Sequence, residues 1–326
     1  MKRPVSENRP VGDIAIVGYG LRLPGAPDPD AFWSVLTEGR CTISTLPPDR
    51  FGLDRYGHPD LAAPGKSYTW AAGVLDDVFG FDPGFFGISP REATQMDPQQ
   101  RLMLQVAWEA LETAGIRPSS LAGTETGVFV GASALDYSNA IHFDPAVADA
   151  QMMTGNTLSI VSNRLSYVLD LKGPSFTVDT ACSSSLFAFH RAVEDLSRGR
   201  VDTAIVGGVN VLLHPAPFIG FSRASMLSPS GLCRAFDAAG DGLFDGLAGQ
   251  PPHQVEVEVV EAGLDDGLDR PAGLVAIVDA PQRPELVRVE DILGEELPRV
   301  DHDGDRLEIE LRVEHVDRAR HVVHER

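Results

Sequence analysis

The chain has 326 residues, with 47 acidic against 27 basic side chains and a formal net charge of −20, which argues against nucleic acid and anionic membrane surfaces as partners. No apolar run reaches the roughly 20 residues that cross a bilayer, and the polar first ten residues lack the apolar segment of a secretory signal. Because its three cysteines are widely scattered, we expect a protein of the reducing cytoplasm without a disulfide framework.

The first predicted element is a strand over Asp13 to Gly18, after a polar N-terminal extension, residues 1–12. Gly18 and Gly20 at its end are typical of a dinucleotide-binding turn. However, Leu23 stands where that fingerprint needs its third glycine, so the interpretation fails. A short helix is predicted next, from Asp28 to Leu36.

A longer helix is predicted from Pro98 to Ala114, because apolar residues recur there at helical spacing. Asp97 suits the N-cap and Pro98 the first helical position, while Gly115 supplies the C-terminal stop. Gln100 stands where its side chain would complete a capping box. We expect this helix to serve core packing and assign it no chemistry.

Two apolar segments, Thr126 to Ala132 and Thr203 to Asn210, are predicted as buried strands. Between them, Thr157 to Leu169 has the apolar stripe of a helix. That helix carries Asn163 and Arg164, for which two interpretations stay open: a functional role, or a buried polar clamp.

Cys182 lies between a predicted strand, Ser175 to Asp179, and a predicted helix from Ser183 to Ser197 that stops at Gly199. The positive end of a helix dipole favours a thiolate, and the free N–H groups of a first helical turn stabilise an oxyanion. Small neighbouring residues leave room for a substrate carbon to approach the sulfur. For a lone cysteine a buried structural role is the commoner interpretation, and the family resemblance given next reverses that preference in favour of a nucleophile. Cys41 and Cys233 have no such context and are expected to be packing or surface thiols.

The residues Asp179-Thr180-Ala181-Cys182-Ser183-Ser184-Ser185-Leu186 resemble the active-site signature of the β-ketoacyl synthases, most closely the ketosynthases of type I polyketide synthases. Four further segments are similar to that family: Met96 to Leu102, Ser162 to Tyr167, Phe221 to Pro229 and Cys233 to Gly242. The resemblance covers residues 13–242. It implies the N-terminal half of a thiolase-like, layered α-β-α-β-α fold, in which the helix after Cys182 lies in the middle layer and is buried on nearly all sides.

The resemblance also implies a reaction. An acyl group passes from the phosphopantetheine arm of an acyl carrier protein to Cys182, and a malonyl-type extender on a second carrier loses CO₂ and attacks the thioester. No cofactor or metal is expected on the chain itself, and the full domain is expected to be a homodimer. The two family histidines, in His-Gly-Thr-Gly-Thr and Lys-x-Asn-x-Gly-His motifs, do not occur in these 326 residues. We therefore predict that this chain lacks condensing activity.

Residues 243–326 have a different composition. From Asp245 onward there are 21 acidic and nine basic residues. Phe, Trp, Tyr, Ser, Thr, Lys, Asn, Met and Cys do not occur in this segment. A reading-frame slip in a GC-rich gene and a genuine acidic, β-rich appendage both explain this, and we favour the slip. Gln254 to Val260 and Arg306 to Val316 read as amphipathic strands. The histidine pair of 321–324 and the acidic run of 301–305 lack the spacing of metal sites.

A function of another class is also open, a non-catalytic acyl-carrier or subunit-interaction module whose acidic tail is genuine. Such a module needs no activated thiol, so the reactivity of Cys182 separates it from an enzyme.

Overall fold

The computed structural model describes residues 14–140, 150–232 and 234, together with the backbone of two strands beyond them. The helices of this part are α1 (Pro29–Thr37), α2 (Leu53–Tyr56), α3 (Pro90–Gln95), α4 (Pro98–Thr113), α5 (Asp136–Ala140), α6 (Ala150–Asn156), α7 (Ser159–Val168), α8 (Ser184–Ser197) and α9 (Ala216–Arg223). The strands are β1 (Ala15–Gly20), β2 (Ile43–Thr45), β3 (Ala71–Gly73), β4 (Gly127–Gly131), β5 (Ser175–Val178), β6 (Thr203–Val211), β7 (His253–Glu256) and β8 (Val275–Asp279).

Three neighbouring strands of the main sheet, β6, β4 and β5, are parallel, and the strand order of the sheet is β1-β8-β6-β4-β5. β4 lies between β5 and β6, with Val128 opposite Ser175 on one side and Ile205 on the other. All five residues of β4 are buried, as expected of a strand that is covered on both faces. β7 and β8 both pair with β6 in the antiparallel direction, and β1 pairs with β8.

The two crossover connections place helices on opposite faces of this sheet. The chain passes from β4 through α7 to the neighbouring β5, and then returns through α8 to β6 on the other side of β4. Because these connections run in opposite directions and parallel crossovers are right-handed, α7 and α8 cover opposite faces. α4 packs with α7 and also contacts β1 and β6. The mixed α/β architecture with a parallel sheet is therefore the one that the sequence predicted.

The two glycines of β1 serve helix packing. A Cβ atom at Gly18 would lie 2.3 Å from the carbonyl oxygen of Ala110, and one at Gly20 would lie 2.6 Å from that of Val106. Both carbonyls belong to α4, so glycine allows this helix to lie directly on the strand. This close approach accounts for the Gly-x-Gly pair that failed as a dinucleotide motif.

The predicted elements of the first 211 residues are confirmed, with one error in a helix cap. The Asp97 carboxylate accepts the N–H of Gln99 at 2.8 Å and caps α4 as expected, and Gly115 has a positive φ of 65°. Gln100 does not complete a capping box. The N–H of Asp97 donates instead to the carbonyl of Gly155 at 2.8 Å, and the Gln100 amide donates to the same carbonyl at 2.9 Å. The Asp97 N–H thus pairs with a carbonyl that is distant in sequence and not with the Gln100 side chain.

The tail is described only where it pairs with β6 and β1. β7 (His253–Glu256) overlaps the start of the first segment that was predicted as an amphipathic strand, Gln254 to Val260, and β8 was not predicted. The second predicted segment, Arg306 to Val316, lies outside the described residues, as do residues 1–12, the metal-like runs near the C terminus, and Cys233.

Candidate active site

Cys182 lies at the carboxyl end of the parallel strands. β5 ends at Val178, a 3₁₀ turn covers Ala181–Ser183, and α8 follows directly. The thiol is free and its residue is exposed. Ligands of open α/β sheets bind outside the carboxyl ends of the strands, so this turn stands where a substrate can reach it.

The turn is held by hydrogen bonds that do not involve the sulfur. The Asp179 carboxylate accepts the N–H of Ala181 at 2.9 Å. The Ser184 hydroxyl accepts the N–H of Thr180 at 2.8 Å and donates to the carbonyl of Ala181 at 2.7 Å. Ala181 itself has φ of 56°, a left-handed conformation that costs a non-glycine residue about 1 kcal/mol. The neighbouring bonds maintain this backbone and leave the cysteine side chain exposed.

A close contact with β4 positions the first turn of α8. A Cβ atom at Gly131, the last residue of β4, would lie 2.4 Å from the backbone nitrogen of Ser185 and 2.5 Å from the carbonyl carbon of Ser184. Only glycine fits this position without moving the helix. The helix that follows Cys182 therefore lies with its backbone directly against the end of β4.

The structure modifies two details of the predicted nucleophile helix. Cys182 lies in the 3₁₀ turn that leads into α8, two residues before the regular helix begins at Ser184. The side chain of the N-cap residue Ser183 makes no capping hydrogen bond to the helix. The helix is also not buried on all sides within the described structure, since Phe187 is 47% exposed and His190 is exposed. One face thus lacks a packing partner among the described residues.

Among the described residues, no histidine is hydrogen-bonded to Cys182. His190 lies two turns farther along α8. The Nδ1 atoms of His58 and His214 accept backbone N–H groups from Asp60 at 3.0 Å and Ala216 at 3.2 Å, which are local turn contacts. His142 lies outside the described residues.

The sequence left open whether Arg164 has a functional role or is a buried polar clamp, and the structure shows a buried clamp. Its side chain is only 7% exposed, its Nε donates to the Gln100 amide oxygen at 3.2 Å, and its Nη1 pairs with the Glu92 carboxylate. Asn163 is exposed. Cys41, expected as a packing or surface thiol, is exposed.

The burial of two carboxyl groups was not predicted from the sequence: that of Asp97, which was expected only as an N-cap, and that of Asp136. Burial raises the pKa of Asp97 to about 6, although hydrogen bonds from Gln99 and the charge of Arg101 oppose the shift. Burial likewise raises the pKa of Asp136, whose carboxylate accepts the N–H groups of Leu213 and His214 at 3.0 and 3.1 Å. A signal was present in the sequence: Gln99, Gln100 and Arg101 are consecutive, so they cannot all face solvent from a packed helix.

The beta-ketoacyl synthase N-terminal domain family model matches residues 12–248, which is most of the chain. The chain belongs to the β-ketoacyl synthase family. It covers part of the ketosynthase domain of type I polyketide synthases. In the described part of this ketosynthase chain, no helix combines the length and apolarity needed to cross a membrane.

Curated relatives agree with this assignment. The chain is 50% identical over 239 residues to the phenolphthiocerol synthesis polyketide synthase type I Pks15/1 of Mycobacterium bovis, a match that covers 72% of this chain and 11% of that protein. It is 47% identical over 265 residues to polyketide synthase ThaG of Burkholderia thailandensis, with 81% of this chain and 5% of that protein covered. The ketosynthase chain thus spans a small fraction of the length of these relatives.

Solved ketosynthases share its fold. The oxazolomycin ketosynthase domain OzmH KS7 of Streptomyces albus matches with a TM-score of 0.68 and 36% identity, over 82% of this chain and 42% of that one. The ketosynthase from module 6 of the bacillaene synthase of Bacillus subtilis matches with a TM-score of 0.66 and 33% identity, over 82% of this chain and 40% of that one. These matches confirm the predicted thiolase-like N-terminal half.

Proposed function

We propose that this chain is the nucleophile-bearing part of a polyketide ketosynthase and that Cys182 accepts the acyl group. The observation that carries the proposal is the exposed thiol in a tight turn at the carboxyl end of three parallel strands, followed directly by a helix. Small residues surround it, so a thioester carbonyl has access to the sulfur. The donor is an acyl carrier protein, and the compartment is the cytoplasm.

In this acylation, the Cys182 thiolate attacks the carbonyl carbon of an acyl–phosphopantetheine thioester. A carbon–sulfur bond forms, and the oxyanion is stabilised by N–H groups at the start of α8. When the intermediate collapses, the bond to the phosphopantetheine sulfur breaks and that sulfur leaves as a thiolate, which takes a proton from solvent. The acyl group is then a thioester on Cys182, and the chain itself needs neither a metal nor a cofactor for this step.

Condensation is a second reaction with further requirements. A malonyl-type extender loses CO₂, its carbanion attacks the Cys182 thioester, and the cysteine leaves as a thiolate. The carbanion needs hydrogen-bond donors, which the family supplies from two histidine motifs that these 326 residues do not contain. We therefore propose that the chain accepts an acyl group but does not extend it, and that any homodimer or complete site belongs to the full domain.

The test is acylation of the 326-residue chain by a short acyl thioester of N-acetylcysteamine, followed by intact mass and peptide mapping. We expect one acyl group on Cys182, lost in C182A and retained in C41A, which removes the other exposed thiol among the described residues. No acylation of the wild-type chain would contradict the proposed acyl transfer and favour a non-catalytic interaction module. Malonyl-dependent lengthening of the acyl group by the purified chain would contradict the proposed loss of condensation.

A further inference from the structure

β5 is held in place by a specific contact with α7. The N–H of Ser162 donates to the Thr177 hydroxyl at 3.2 Å, and that hydroxyl donates to the Ser162 hydroxyl at 3.0 Å. One helical turn farther along, the Ser166 hydroxyl donates to the Ser175 hydroxyl at 2.8 Å. Residues four apart on a helix and two apart on a strand each share one face, so α7 and β5 meet along a matched pair of polar contacts.

The far side of α7 is anchored by Arg164. Its Nε donates to the Gln100 amide oxygen and its Nη1 pairs with Glu92, so it joins α7 to both α3 and α4. The orientation of the Gln100 amide is fixed in turn, because its nitrogen donates to the carbonyls of Thr154 at 3.0 Å and Gly155 at 2.9 Å. The arginine is therefore bound to a partner that cannot rotate freely.

The turn that carries Cys182 depends on these anchors. Cys182 is exposed, so packing of its own side chain does not locate it, and it follows the end of β5 by only four residues. In the described sheet β5 has a strand neighbour on one side only, β4. The contact with α7 is thus a principal support of β5 besides that strand and α8.

We infer that Thr177 and Arg164 are positioning residues for Cys182: Arg164 fixes α7 on α3 and α4, and Thr177 transmits that position through β5 to the nucleophile's turn. Neither side chain touches the substrate. The inference rests on the proposed acyl transfer, because its functional effect is on the rate at which Cys182 attacks a thioester. Attack requires alignment with the oxyanion donors, and small displacements of a reacting group reduce rates strongly.

The experiment compares T177V and R164M with matched controls in the full chain. T177V removes the hydroxyl at nearly constant shape, and T126V does the same at a buried threonine at the start of β4. R164M removes the clamp, and R101M removes an equally buried arginine of α4 that bonds to Met96 and Phe79 instead of α7. For each variant we would measure the rate of Cys182 acylation, the rate of its alkylation by iodoacetamide relative to Cys41, and amide hydrogen exchange of segment 175–186.

We expect acylation to slow by roughly tenfold in T177V and R164M, with faster exchange in segment 175–186 and a smaller change in alkylation, which does not need aligned oxyanion donors. T126V and R101M should give values of these readouts near those of the wild type. T177S should do the same, in contrast to T177V, because it keeps the hydroxyl. Wild-type acylation rates in T177V and R164M would overturn the inference, as would equal losses in both controls.

The failure of the proposed function gives a different result. If the wild-type chain is not acylated, the exchange of segment 175–186 decides: an increase restricted to T177V and R164M supports the positioning role, and unchanged exchange overturns it. If R164M does not fold, R164K takes its place, because it keeps the charge but not the fork of donors that contacts both Gln100 and Glu92.

Discussion

Replacing Asp97 by asparagine should change how the stability of the protein depends on pH. The Asp97 side chain is a buried N-cap, and burial raises its pKa to about 6 from an ordinary value of 3.8. The native state therefore binds a proton at this site more tightly than the unfolded chain does. The free energy of unfolding consequently falls as the pH rises from the unfolded pKa of 3.8 to the folded pKa of about 6. Above the folded pKa this contribution to stability has been lost completely.

The size of the effect follows from the shift. A difference of about two pKa units corresponds to about 3 kcal/mol lost between low pH and pH 8, of which about 1.5 kcal/mol falls between pH 5 and pH 8. Asparagine is an equally good N-cap and carries no charge. It disturbs one buried contact, because the Gln99 amide nitrogen that donates to the carboxylate at 3.1 Å would meet another amide nitrogen, at a cost of about 1 kcal/mol. The free energy of unfolding of D97N, measured relative to that of the wild type, should therefore rise by about 1.5 kcal/mol as the pH rises from 5 to 8.

The assay is urea unfolding followed by tryptophan fluorescence, at intervals from pH 5 to pH 8, above the isoelectric point of about 4.7 where solubility is lowest. D28N is the matched control, since Asp28 caps the exposed helix α1 by accepting the N–H of Ala31 at 2.8 Å. A stability difference between D97N and the wild type that stays constant across this range would show that the carboxyl group is not buried as the structure has it.

Three further predictions concern the turn that carries Cys182 and the helix α8. G131A should lower the free energy of unfolding by about 2–3 kcal/mol and reduce acylation, since its methyl group meets the backbone of Ser185, and an unchanged denaturation midpoint would contradict this contact. A181G should stay within about 0.5 kcal/mol of wild type, because relief of the left-handed strain offsets the entropy of glycine, whereas A188G in the buried interior of α8 should cost about 1 kcal/mol or more in the same unfolding assay. F187Q should reduce aggregation measured by light scattering without lowering stability, because it removes an exposed apolar ring; equal scattering would show that this face is covered in solution.

The course of the backbone was largely predictable because local signals and tertiary packing agree in this chain. Asp97, Pro98 and Gly115 mark the ends of α4 by their own conformational preferences, and the short, β-branched and apolar β4 favours a buried strand. The position of Cys182 between a strand and a helix was predicted from the same kind of local residue preference. Its proposed role rests on the family resemblance, since an isolated cysteine at a turn does not identify a reaction.

What the sequence did not predict are contacts between residues far apart. Gln100 fits a capping box by spacing alone, yet it bonds to Gly155 and Arg164, because satisfying a buried carbonyl and a buried guanidinium outweighs a local cap. The raised pKa of Asp97 likewise depends on what covers it. Polar residues at consecutive positions of a buried helix were the available warning, and they show that a polar network exists without showing its partners.

The strand order has a consequence for how the protein forms during synthesis. β4, β5 and β6 are all present once residue 211 has left the ribosome, so the parallel part of the sheet, whose edge strand β5 leads to Cys182, can assemble from contacts of moderate sequence separation. Among the described strands, β1 pairs only with β8, which emerges last. Pairings between distant segments form slowly, so β1 acquires its strand partner only after β5, which leads to Cys182, has already paired with β4.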